Sequence, residues 1–124
     1  MFRGVYGKLP AQDVERARAF WRDKLGFEPV RESEGHLFYD CEGSRFLIFP
    51  SSGSPSGTHD QLGFVVEDAG AAVEELRARG VEFERYEPRP GVTFENDVMD
   101  LGAVKAAWFK DSEGNLISIA QFAG

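Results

Sequence analysis

The sequence predicts an α+β fold made of two copies of one β-α-β-β-β module, and two internal repeats predict it. The string Phe38-Tyr39-Asp40-Cys41-Glu42-Gly43-Ser44-Arg45-Phe46-Leu47 returns as Phe109-Lys110-Asp111-Ser112-Glu113-Gly114-Asn115-Leu116-Ile117-Ser118, each copy reading as strand, tight D-x-E-G turn, strand. Upstream of each copy an extended apolar run leads to an aspartate, Asp13 or Asp68, that opens an amphipathic stretch ending at Gly26 or Gly80. Two copies that cannot each bury a full core are expected to pack on one another, and the seam between them is a natural cavity.

The elements follow in order. Phe2 to Leu9 reads as a strand. Asp13 is an N-cap, after which Val14, Ala17, Trp21 and Leu25 recur at helical spacing until Gly26 supplies the C-terminal cap. Phe27 to Arg31, Gly35 to Cys41 and Arg45 to Pro50 are the three strands that complete a first module over residues 1–50. Ser51 to Thr58 is a linker of small, turn-forming residues. A second module over residues 59–124 repeats the pattern. His59 to Val66 is its first strand, Asp68 caps a helix with Ala69, Ala72, Val73 and Leu76 inward, and Gly80 ends that helix. Val81 to Tyr86, Val104 to Lys110 and Asn115 to Phe122 are the remaining strands. Glu87 to Gly102 has no counterpart in the first module, and a segment of that length is expected to be a functional loop or lid.

Composition narrows the function classes. At 124 residues, 42% hydrophobic and 28% charged, the chain suits one ordinary globular domain, residues 1–124. A net charge of −7 with dispersed arginines argues against nucleic acid, whose phosphates need clustered cations, and points to a cationic or neutral ligand. No stretch approaches the ~20 apolar residues of a membrane span, and Met1-Phe2-Arg3-Gly4-Val5 lacks a signal-peptide layout, so no membrane partner and a cytoplasmic location are expected. The single cysteine, Cys41, has no partner for an internal disulfide, and in the first turn it reads as a small residue of convenience rather than a nucleophile. No Ser-His-Asp set and no phosphate-cradling glycine loop is present.

The paired modules, with Leu9-Pro10-Ala11-Gln12-Asp13 and Phe64-Val65-Val66-Glu67-Asp68 before the helices and Phe109-Lys110-Asp111-Ser112-Glu113-Gly114-Asn115 near the end, resemble the vicinal oxygen chelate superfamily. This is the family of glyoxalases, extradiol dioxygenases, fosfomycin-modifying enzymes and bleomycin-resistance proteins. The resemblance covers essentially the whole chain. It implies that the two modules form a cupped mixed sheet with helices on the convex side, and that the protein is a homodimer. The fold hosts several unrelated activities, so it does not settle the chemistry.

Metal-dependent members of that superfamily hold a divalent ion on the first and last strands of each module. Carried over by register, those positions are Tyr6, Leu47, Gln61 and Ser118, of which only Gln61 suits a transition ion. His36 and His59 do not make up the deficit, so no metal and no cofactor are expected. Without a metal the cup acts by shape, stacking and hydrogen bonds. Period-two alternation places Tyr6, Lys8, Arg45, Leu47, Phe49, Gln61, Gly63, Leu116, Ser118 and Ala120 on the concave faces. Val5, Leu9, Phe46, Ile48, Leu62, Phe64, Ile117 and Ile119 fall on the helix-packed side. The expected ligand contacts are Tyr6, Phe49, Gln61, Phe94 and Trp108, with residues 87–102 as a lid. The reading is metal-independent binding of a small aromatic or polycyclic molecule, as in drug-sequestering proteins of the bleomycin-resistance type. The alternative is a glyoxalase-like lyase or isomerase, or a dioxygenase-type enzyme, either metal-assisted through a displaced site or metal-free with Tyr6, Lys8 or Gln61 handling protons.

Overall fold

The computed structural model describes residues 1–123 and divides into two compact units. The first takes Met1–Ser56 together with Asp111–Asn115, and the second takes Gly57–Lys110 and the chain from Leu116 onward. Each unit is a mixed sheet with one helix, the α+β class that the repeats predict.

In the first unit the chain runs β1 (Gly7–Ala11), α1 (Val14–Asp23), β2 (Arg31–Ser33), β3 (His36–Cys41) and β4 (Ser44–Pro50), with sheet order β1-β4-β3-β2. β1 lies parallel to β4 and the other pairs are antiparallel. The Asp13 carboxylate accepts from the Arg16 amide at 3.0 Å and so caps α1. Ala17 and Trp21 of α1 are fully buried, over a sheet face made by Leu9, Leu37, Tyr39, Phe46 and Ile48. An aromatic cluster fills this core: Tyr39 and Phe46 stack at 5.0 Å and 7°, and the Phe27 ring meets Phe46 edge-on at 5.6 Å. Both hairpins of this sheet turn on two residues with positive φ, Glu34-Gly35 and Glu42-Gly43, the geometry that matches strand twist.

The second unit runs β5 (Leu62–Val65), α2 (Ala69–Ala78), β6 (Thr93–Glu95), β7 (Val98–Asp100), β8 (Val104–Lys110) and β9 (Leu116–Phe122), in sheet order β5-β9-β8-β7-β6. Asp68 caps α2, and Gly80 at φ 93° ends it: its N–H donates to Arg77 O and that of Val81 to Leu76 O, both at 3.0 Å. Ala69 and Val73 pack toward Ala107, Phe109, Ile117 and Ile119 of this unit's core.

The structure departs from the sequence expectations at several points, among them Phe27 to Val30, which precedes β2 rather than forming it. Val81 to Tyr86 is not a strand: Phe83 makes one isolated bridge with Phe109, and the Glu84 amide donates to Trp108 O at 2.7 Å. Glu82, Glu84 and Arg85 flank Phe83 and suit solvent rather than a longer buried ladder. Residues 87–102 are correspondingly not a free loop. They contain the β6–β7 hairpin, which turns on Asn96 and Asp97 at φ 50° and 69° and is joined to β8 through Met99 opposite Ala106. Val5 is also misplaced in the sequence reading, being 96% exposed and outside β1 rather than packed under the helix.

The two D-x-E-G turns differ although their sequences match. Asp40 is exposed, and its carboxylate accepts from the Gly43 amide of its own turn, at 3.3 Å. Asp111 is buried and accepts from the amides of Glu113 and Asn115, from Asn115 Nδ2 and from the indole Nε1 of Trp21. Burial raises the Asp111 pKa, against the lowering effect of those hydrogen bonds. Next to it the Glu113 carboxylate accepts from the Asp13 amide at 3.0 Å and from Arg16 Nε at 2.8 Å, and Asn115 Nδ2 donates to Pro10 O at 3.0 Å. The second turn therefore closes the first unit's helix entry.

Candidate functional site

Side-chain alternation sends one face of the first sheet to α1 and leaves the other open. Strand register sets a row across that open face: Lys8 lies opposite Leu47, Leu47 opposite Phe38, and Phe38 opposite Arg31. Tyr6, Arg45, His36 and Asp40 belong to the same face, and together with the row they line a cleft of about 1120 Å³. That volume is ample for a drug-sized molecule. Leu47 is buried and forms part of the floor, while Val5 and Val30, both largely exposed, lie at its rim.

The polar groups of the cleft have distinct states. Arg31 places its guanidinium carbon 4.2 Å from the centre of the Phe38 ring, and Lys8 Nζ lies 5.0 Å from that of Phe49. The His36 ring stacks on Phe38 at 6.4 Å, and its Nδ1 donates to the Glu34 carbonyl at 3.1 Å. A carbonyl can only accept, so Nδ1 is the donor in this contact. Cys41 stands at the end of β3 with its thiol pKa raised by burial and then by the Glu42 and Asp40 carboxylates, which keeps it protonated and unreactive.

Of the sequence-predicted contacts, Tyr6 lines this cleft and Phe49 adjoins it through Lys8. Gln61, Phe94 and Trp108 belong to the second unit. There Phe94 lines a smaller pocket of about 470 Å³ with Tyr86 and the ion-paired Arg77, Arg85 and Asp97. Trp108 meets the Tyr86 ring edge-on at 5.5 Å, and the amide oxygen of Gln61 is buried without a hydrogen-bond partner. The sequence reading missed Arg31, His36 and Phe38 as site residues. The signal that could have found them is Glu34-Gly35, a two-residue turn that sets Arg31 opposite Phe38.

The fold's metal positions do not fit a transition ion. In the first unit Tyr6 and Leu47 hold them, and Leu47 has no donor atom. In the second unit Ser118 stands opposite Gly63, so close that a Cβ on Gly63 would lie 2.8 Å from its Oγ, and Gln61 is the remaining donor. A hydroxyl and a neutral amide are a poor set for Zn, Mn or Fe. Among the described residues no group of three or more His, Cys, Asp or Glu side chains is placed to hold a metal.

The sheet order, the parallel first and last strands of each unit and the Asp-x-Glu-Gly-Asn turn define a class, and sequence comparison agrees with it. The chain belongs to the Glyoxalase/Bleomycin resistance protein/Dioxygenase superfamily, whose model matches residues 5–119. Among solved structures it is similar to the genomically encoded fosfomycin resistance protein FosX from Listeria monocytogenes, at TM-score 0.73 and 18% identity over 99% of this chain and 96% of that one. A mutant of the same FosX, complexed with Mn(II) and 1S,2S-dihydroxypropylphosphonic acid, gives TM-score 0.69 and 20% identity over 96% and 90% of the two chains. A putative glyoxalase family protein from Bacillus anthracis gives 0.70 and 19% over 99% and 98%. Likeness at these identities speaks to the fold and not to the reaction. No curated protein matches the chain significantly. No helix is long and apolar enough to cross a membrane among the described residues.

Proposed function

We propose that this protein binds a small molecule with an aromatic or polycyclic body, without a transition metal and without making or breaking a bond, as a drug-sequestering member of its superfamily. The observation that carries this reading is the cleft of about 1120 Å³ on the open face of the first sheet, floored by Phe38 and Leu47. Tyr6 and Phe38 are its stacking contacts and Phe49 extends them. On the second unit by itself, Gln61, Phe94 and Trp108 are the proposed ligand contacts, and the buried Gln61 amide oxygen has no hydrogen-bond partner there. A homodimer is part of the proposal, and it is supported by the N-terminal segment, where Phe2 and Val5 are 92% and 96% exposed.

Calorimetry with a panel of planar antibiotics, on the native chain and on Phe38→Ala, tests the reading. Stacking is worth about 0.5 to 1.5 kcal/mol beyond area burial, and truncation also removes apolar contact area, so the variant should bind roughly tenfold more weakly or more. A ligand that is consumed with turnover would replace this reading with a lyase, isomerase or dioxygenase. Stoichiometric Zn, Mn, Fe or Ni that survives dialysis, and is lost in Gln61→Ala, would overturn the metal-free part.

A further inference from the structure

The cleft on the first sheet carries an electrostatic signature opposite to that of the whole chain. The chain has a net charge of −7, yet Lys8, Arg31 and Arg45 all line the cleft against one carboxylate, Asp40. The sorting follows from side-chain alternation. On β2, Arg31 faces the cleft while its neighbour Glu32 points the other way and pairs with Arg18 of α1. The other α1 arginines are paired as well, Arg16 with Glu113 and Arg22 with Asp23. Lys8, Arg31 and Arg45 join no ion pair among the described residues. Asp40 stands opposite Arg45 in the β3–β4 pair but makes no ion pair with it among the described residues, so the one carboxylate of the cleft leaves two cations in excess.

Three unpaired cations around an aromatic and aliphatic floor form a composite surface. The floor favours a flat apolar body, and the cations favour a negative group at its edge. Arg31 is already held over the Phe38 ring, so its fork of donors is pre-oriented for a planar carboxylate lying beside a stacked ring. From this geometry we infer that the cleft selects organic anions, specifically aromatic carboxylates, over neutral or cationic molecules of the same shape. This inference rests on the proposed binding role of the cleft and names its ligand class.

Three naphthalene probes of one shape separate the possibilities: naphthalene-2-carboxylate, its primary amide, and naphthalen-2-ylmethylammonium, titrated calorimetrically at low and high salt. A cation about 4 Å from a carboxylate in a largely aqueous setting is worth roughly fivefold in affinity. The carboxylate should therefore bind about tenfold or more tightly than the amide, the ammonium should bind most weakly, and the preference should shrink as salt screens it. Arg31→Met, which keeps an aliphatic stem over Phe38, and Arg45→Met should each weaken the carboxylate about fivefold and leave the amide unchanged. These side chains are exposed, so the variants should fold as the native chain does. Equal affinity for carboxylate and amide overturns the anion inference while the binding role stands. A carboxylate preference that survives Lys8→Met, Arg31→Met and Arg45→Met places the anion elsewhere and also overturns it. Absence of binding by all three probes at millimolar concentration removes the proposed role itself, and this inference with it.

Discussion

Glu113→Gln isolates the contribution of the second D-x-E-G turn to the first unit. The Glu113 side chain is 1% exposed and accepts hydrogen bonds from the Asp13 amide, from two nitrogens of Arg16 and from the Ser112 hydroxyl. Burial alone would raise its pKa, but the Arg16 side chain, the Asp13 amide and Ser112 outweigh it and hold the carboxyl at about 2, against an ordinary 4.5. Because the folded value is the lower one, the native state binds fewer protons between the two. The stabilisation is therefore complete above about pH 4.5 and is lost as pH falls toward about 2. At about 1.4 kcal/mol per pH unit the interval corresponds to about 3 kcal/mol. The Arg16 side chain is 53% exposed, and solvent screening reduces the expected contribution to about 2 kcal/mol. Urea unfolding of both proteins at pH 7, 4.5 and 3 measures it. The native chain should exceed Glu113→Gln by about 2 kcal/mol at pH 7, with the difference falling progressively below pH 4.5. A difference that is the same at pH 7 and pH 3 would falsify the charge-based account and leave only shape.

Two further predictions follow from the same core. Tyr39 is 1% exposed with its hydroxyl buried and unpartnered, and burial pushes its pKa up to about 12, so Tyr39→Phe should hold or raise stability by about 1 kcal/mol in thermal unfolding; a clear loss would reveal a partner for that hydroxyl. Gly114 has φ +85°, which a β-branched residue resists, so Gly114→Val should cost about 1 to 3 kcal/mol and lower the melting temperature without altering ligand preference. Unchanged melting with altered preference would move that turn into the binding site.

Much of this protein was legible locally. Asp13 and Asp68 announced both helices because an N-cap needs only a side chain within one turn of the amide it satisfies. Alternation assigned Lys8, Arg45 and Leu47 to one sheet face and Leu9, Phe46 and Ile48 to the other, because strand backbone geometry fixes that period whatever lies around it. The β6–β7 hairpin escaped because each of its strands is three residues long, too short to show an alternation of its own around the Asn96-Asp97 turn.

Tertiary structure decided the rest. One D-x-E-G string became an exposed two-residue turn and its twin a buried hydrogen-bonded plug, because Asp111 meets the Trp21 indole from a distant part of the chain and Asp40 bonds within its own turn. Total charge suggested a cationic or neutral ligand, whereas cross-strand register gathered Lys8, Arg31 and Arg45 around Phe38. The sequence by itself determined the superfamily, the two helices and the faces of the long strands, since these depend on periods and caps a few residues wide. The surroundings of each charge were decided only in the fold, because an electrostatic field sums over neighbours in space and strand pairing chooses those neighbours.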